Sequence, residues 1–182
     1  MGDLTDGSGG QTEQSAQTEE TSAATEAAVP EFDDSLTTAQ IIKDMGLGIN
    51  LGNTLESCGN WISTEGGVTA YETAWGSPII TKEIIQGYAD SGFGVLRIPV
   101  AWSNLIAEDY TISEELMARV KEVTQWTLET GMYAIVNIHW DSGWWEKFPT
   151  DKENCMNKYT KIWEQITREF KDFNGKLMFE SL

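Results

Sequence analysis

The residues best suited to chemistry cluster in one short run, Asn137-Ile138-His139-Trp140-Asp141, with Trp144 and Trp145 close behind. His139 is the only histidine of the 182 residues. Amide, imidazole and carboxylate offer hydrogen bonds, while the indoles offer flat apolar faces. A sugar ring needs both, because its C–H faces pack on indole and its hydroxyls seek polar partners. The mixture therefore suits a saccharide better than a wholly apolar ligand, although the three tryptophans could also simply plug the mouth of a fold. Asp141 reads equally as a ligand contact and as a loop cap or turn residue.

Arg97 stands in an apolar run, Val95-Leu96-Arg97-Ile98. Its guanidinium must be paired or face a polar cavity. Two readings stay open: a buried structural ion pair, or an arginine that orients and holds a catalytic carboxylate. Eight tryptophans are present. Those at 61, 75, 102, 140, 144 and 145 fall outside the predicted helices and strands, which suggests surfaces offered to a ligand. Trp126 and Trp163, at helical positions, read as core.

These groups need elements to position them. Met132 to Val136 is a continuous apolar run of strand length after a glycine, the pattern of a buried parallel strand. The same grammar recurs along the chain. Thr37 opens a capping box, with Leu36 and Ile41 as staple, and a short helix runs to about Asp44. Gly46 to Leu51 is a first strand, and a long connection follows from Gly52 to Ile80. Thr81 caps a helix ending near Ser91-Gly92, before a strand over Gly94 to Pro99. Ser113 caps the next helix, which ends at Gly131. Asp151 is expected to cap a third, running to Gly175 with Met156, Tyr159, Trp163, Ile166, Phe170 and Phe173 inward, before a strand from Lys176.

Helix, glycine, apolar strand and polar loop in repetition predict βαβ units with right-handed crossovers. No dinucleotide-binding glycine fingerprint is present. The expected fold is therefore an α/β (β/α)8 TIM barrel of which only about the first four units are present. Each strand delivers polar groups at its carboxyl end: Asn50 and Asn53, Arg97, then Asn137, His139 and Asp141, and lastly Glu180. Carboxyl ends of parallel strands are where such folds build their sites.

Composition narrows the partners. The formal charge is −17, which disfavours nucleic acid and anionic membrane surfaces. No apolar run has the length of a membrane span. Nine of the 29 acidic residues and no basic one lie in residues 1–35, a Gly, Ser, Thr, Gln, Glu and Ala stretch. That segment is expected to be a disordered linker, with residues 36–182 forming the folded unit. It lacks the basic start and apolar core of a signal peptide. No Cys/His cluster has metal-ligand spacing, and whether Cys58 and Cys155 pair is left open.

Five motifs in order carry a resemblance: Gly-Ile-Asn-Leu-Gly-Asn-Thr-Leu (48–55), Trp-Gly-Ser-Pro (75–78), Gly-Phe-Gly-Val-Leu-Arg-Ile-Pro-Val-Ala-Trp (92–102), Asn-Ile-His-Trp-Asp (137–141) and Phe-Glu-Ser-Leu (179–182). Together they resemble glycoside hydrolase family 5, and most closely its bacterial endoglucanase and xyloglucanase branch. The resemblance implies retaining hydrolysis of β-1,4-glucan linkages, with no metal or organic cofactor, in a secreted or cell-surface enzyme. It matches Arg97 to the arginine that holds the nucleophile, and His139 to a histidine that contacts substrate and supports the site. Asn53, Trp61, Trp140, Asp141, Trp144 and Trp145 are then expected to line glucose subsites.

Where relatives commonly have a second histidine, this chain has Trp140. Family members continue Phe-Glu-Ser-Leu with Asn-Glu, and that Glu is the acid/base. Glu180 therefore matches a strand-interior glutamate, and both catalytic glutamates are expected beyond Leu182. The resemblance thus predicts a fragment of a retaining endo-β-1,4-glucanase, inactive alone, whose partners are a β-glucan and the missing carboxyl-terminal half of the barrel. The alternatives are a non-catalytic glycan-binding module and a self-pairing half barrel.

Overall fold

The computed structural model describes residues 28–181. Four parallel strands, β1 (Leu47–Asn50), β2 (Phe93–Ile98), β3 (Tyr133–Asn137) and β4 (Leu177–Glu180), pair in sequence order. Five helices accompany them: α1 (Thr38–Met45), α2 (Gly67–Thr73), α3 (Lys82–Asp90), α4 (Glu114–Glu129) and α5 (Lys152–Glu169). Consecutive parallel pairing through helical crossovers is the first half of a (β/α)8 barrel, as the repeated grammar implies. No helix among the described residues is long and apolar enough to cross a membrane.

Local chemistry sets the boundaries. The capping box of Thr37 and Gln40 is formed, and the Thr81 and Ser113 hydroxyls accept the N3 amides of α3 and α4. Gly92 and Gly131, both at φ +89°, turn the chain from helix into strand, a conformation glycine takes without penalty. At Gly94 a Cβ would collide with the Met45 carbonyl, so the glycine lets α1 close against β2.

Side-chain alternation divides the sheet. Leu96, Ile98, Ala134, Val136, Ile138 and Leu177 lie in the core, with Ile85, Leu116, Val120, Val123, Ile162, Ile166 and Phe170 from the helices. Gly48, Asn50, Val95, Arg97, Ile135, Asn137 and Glu180 take the alternate positions, facing the barrel interior. At the amino-terminal end, the Tyr133 hydroxyl donates to Asp44 at 2.8 Å. Burial and that carboxylate push the phenol up to about 12.

Several expectations are corrected. The connection from Gly52 to Ile80 is not all loop: it holds α2 and a 3-10 turn at Thr64–Gly66. Glu72 of α2, 1% exposed, pairs with Arg119 of α4 at 2.7 and 3.0 Å and accepts the Ile80 amide at 2.6 Å. This pair fastens the long connection to the helical layer. Asp151 does not cap α5, because its carboxylate is taken by the Asn154 amide at 3.0 Å. The helix also stops at Glu169 rather than Gly175, with Phe170 as its C-cap.

Of the stretch expected to be a linker, residues 1–27 lie outside the described residues. From residue 28 the chain is packed: Val29 meets the core, and the Pro30 carbonyl accepts from Asn174 at 2.9 Å. Cys58 and Cys155 are buried free thiols.

Candidate active site

The carboxyl ends of β1 to β4 bring five polar side chains together. Arg97 Nε donates to Glu180 Oε2 at 2.6 Å, and Nη2 to Oε1 at 2.7 Å, a parallel two-bond fork. Nη1 donates to Asn50 Oδ1 at 3.3 Å. His139 Nδ1 lies 3.5 Å from Arg97 Nη2 and 3.4 Å from Asn137 Nδ2. The guanidinium and imidazole thus share one face and one mouth. Below them Gly48, Asn50, Val95, Arg97 and Ile135 border a hollow of about 220 Å3. A larger hollow, about 720 Å3, lies between α4 and α5 on the outer face and touches none of these residues.

Electrostatics follow the pairing. The bonds from Arg97 hold the Glu180 carboxyl below the usual carboxylate range, and Glu180 in turn raises Arg97. Glu56, buried just after β1, also faces the guanidinium electrostatically. Its own oxygens accept the Asn53 and Thr54 amides at 2.5 and 2.9 Å. Those bonds fold the turn that leaves Asn53 in the left-handed region, φ 62°, with an exposed side chain.

Asn137 is a clamp. Its Oδ1 accepts the Val100 amide at 3.3 Å, and its carbonyl accepts Trp102 Nε1 at 2.9 Å. Trp102 is therefore not a ligand surface, as its place outside the strands suggested; it is fully buried core. Asp141 is corrected in the same sense. It is fully buried, accepts the Ser103 amide and hydroxyl at 2.7 Å each, and accepts Trp144 Nε1 at 2.7 Å. With its oxygens so committed it acts as the loop cap, binding the β3 loop to the β2 loop. Burial pushes its carboxyl up despite those donors.

Trp61, Trp140, Trp144 and Trp145 stand in the connections after β1 and β3. Trp140, 45% exposed, meets Trp145 edge-to-face at 5.7 Å. Trp145 Nε1 is buried without a partner among the described residues. Trp144 is half-buried with the Lys158 ammonium 4.8 Å over its ring. Trp61 is 65% exposed on the first long loop. Glu180 is the residue that sequence reasoning undervalued. Strand alternation, together with its place at a strand end, puts it on the face of Arg97.

The profile of the cellulase family, glycosyl hydrolase family 5, matches residues 55–182. The chain belongs to glycosyl hydrolase family 5. It is 38% identical over 144 residues to a cellulase/esterase of Acetivibrio thermocellus, an alignment covering 78% of this chain and 16% of that protein. It is 36% identical over 148 residues to a xyloglucan-specific endo-β-1,4-glucanase of Bacteroides ovatus, covering 79% and 29%. A family 5 subfamily 4 endoglucanase from Ruminococcus champanellensis, solved with bound cellotriose, superposes with a TM-score of 0.74 at 34% identity, covering 80% of this chain and 43% of that one. The chain spans less than half the length of each of these relatives.

Proposed function

We propose that this chain supplies the amino-terminal half of the catalytic barrel of a secreted, retaining endo-β-1,4-glucanase acting on β-1,4-glucan or xyloglucan. The observation that carries the reading is the contact between Arg97 and His139 at the carboxyl ends of four parallel strands, with the Trp140–Trp145 pair in the loop that follows His139. Retaining hydrolysis needs two carboxyl groups about 5 Å apart, one as acid/base and one as nucleophile. Neither Glu180 nor Asp141 suits either role, since both have their oxygens committed to neighbouring donors. On this reading the pair comes from residues that follow these 182.

The contributions of this half are then electrostatic and geometric. The uncommitted N–H of Arg97 Nη1 can meet an incoming carboxylate, favouring its charged form as nucleophile. His139 offers a ring nitrogen to a sugar hydroxyl. Asn53, Trp61, Trp140 and Trp145 hold the glucan, with C–H faces on indole and hydroxyls on amide. Trp144, fixed by its bond to Asp141, stands in the same loop as Trp140 and Trp145.

The test joins this chain to the carboxyl-terminal half of a family 5 relative and measures reducing ends released from carboxymethylcellulose and xyloglucan. The 182 residues alone should release none, and the completed barrel should release them. R97A in the completed barrel should lower kcat by roughly 100- to 1000-fold, the scale for losing one preorganised electrostatic contact. An inactive completed barrel that still binds xyloglucan would favour a non-catalytic glycan-binding module.

A further inference from the structure

We propose that Glu180 is a positioning residue: by gripping one edge of Arg97 it aims the Nη2–H that, beside the Asn137 amide already oriented by Val100, fixes His139 as the tautomer that presents Nε2–H to the mouth. The role in turnover rests on the glucanase reading above, whereas the arrangement itself does not.

The argument begins with Asn137. The Val100 amide can only donate, so the Asn137 atom facing it is the carbonyl oxygen, at 3.3 Å. The Nδ2 amine must then point the other way, toward Glu180 Oε1 and His139 Nδ1, at 3.4 Å from each. Arg97 is equally constrained. A guanidinium has five N–H donors and no acceptor. Its Nε–H and one Nη2–H go to Glu180, which leaves the second Nη2–H directed at His139 Nδ1, 3.5 Å away.

His139 Nδ1 therefore faces donors from two strands and can only accept. The proton of the neutral ring sits on Nε2. The backbone beneath the ring is anchored by His139 N–H donating to the Val100 carbonyl, at 2.9 Å. The charged groups around the imidazole are Arg97 on β2, Glu180 on β4, and Glu56 beyond β1, which acts through Arg97. Without Glu180, the fork that sets the rotation of the guanidinium is lost, and Nη2 no longer has a fixed direction.

The single histidine makes the test direct. The 182-residue chain is labelled with 15N-histidine, and long-range 1H–15N spectra at neutral pH report the protonation of each ring nitrogen. The expected wild-type result is one tautomer, with Nδ1 unprotonated and Nε2 protonated. E180Q keeps the volume but sets an amide against an N–H of Arg97. It should lose the single tautomer, moving both nitrogens toward the averaged shifts of a free imidazole. R97K, which keeps the charge but removes the fork, should do the same and serves if E180Q does not fold. A wild-type Nδ1–H, or a folded E180Q or R97K that retains the single tautomer, overturns the proposal. Either result leaves the glucanase reading intact, and a completed barrel that hydrolyses nothing would leave the tautomer result intact.

Discussion

Arg97 and Glu180 grip each other across β3, with two bonds of 2.6 and 2.7 Å between residues 83 positions apart. The strand between them contributes Asn137, whose amide reaches the same Glu180 oxygen at 3.4 Å. Register explains the reach: Asn137 pairs with Glu180 and Ile135 with Arg97, so the arginine extends diagonally toward the mouth.

That pair dictates an acid limb in stability. The Arg97 bonds hold the folded-state pKa of Glu180 below its ordinary value. A depressed carboxyl contributes stability that is present above the unfolded pKa, about 4.3, and is lost as pH falls through the folded one. E180Q cannot titrate. Urea unfolding from pH 7 down to pH 3 should show the difference in midpoint between wild type and E180Q largest at neutral pH and shrinking below about pH 4.3. A constant difference across that range would mean the pair is not ionic.

Asp141 should be costly to remove for a different reason. Its oxygens satisfy the Ser103 amide, the Ser103 hydroxyl and Trp144 Nε1 inside the protein. They also hold a turn in which Asp141 and Ser142 both take positive φ, at 48° and 60°. D141A strands several donors and releases that turn, so a loss of about 3 kcal/mol in urea unfolding is expected. D141N should lose less, since one carbonyl acceptor remains. Tryptophan emission should shift to the red in D141A as Trp144 loses its partner.

The buried pair of Glu72 and Arg119 makes a third case. Arg119 also donates to the Ile80 carbonyl at 2.6 Å and to Glu122, so it is pinned on several sides. E72A would leave a largely buried guanidinium without its main counter-charge, at a cost of about 3–5 kcal/mol. A hydrophobic replacement of both partners, E72L with R119M, should recover much of that loss. Thermal unfolding of the two variants side by side checks the ordering.

What the sequence revealed and what it hid divide along range. The caps at Thr37, Thr81 and Ser113 depend on bonds two or three residues long, and the strand starts depend on a glycine followed by an apolar run, so both were readable. Asp151 failed as a cap because Asn154, one turn away, competes for the same carboxylate. α2 was missed because Gly67-Val68-Thr69 is a weak helical start with no side-chain cap. Its support is long-range: Glu115 accepts the Val68 amide of its first turn, and Glu72 meets Arg119, each partner 47 positions later. The site divides in the same way. Arg97 was conspicuous as a charged residue in an apolar strand, and His139 as a lone histidine just past the end of another. Whether Asp141 faced a ligand or capped a loop depended on Ser103, 38 positions earlier, and local pattern carries no such information.

The two tryptophans Trp102 and Trp140 should separate packing from recognition. Trp102 is fully buried and donates to the Asn137 carbonyl, beneath the clamp that faces the mouth. W102A should cost about 3–5 kcal/mol, as expected for a large aromatic deleted from a core. W102F should cost less but still release the Asn137 carbonyl. Trp140 stands 45% exposed, lying against Gly143 and edge-on to Trp145, so W140A should change stability by under about 1 kcal/mol. Its effect belongs to the ligand. In the completed barrel W140A should raise KM for carboxymethylcellulose with kcat little changed, because a stacking platform binds ground state and transition state alike. A W140A variant that unfolds like W102A, or that loses kcat and keeps KM, would remove Trp140 from the glucan-binding residues.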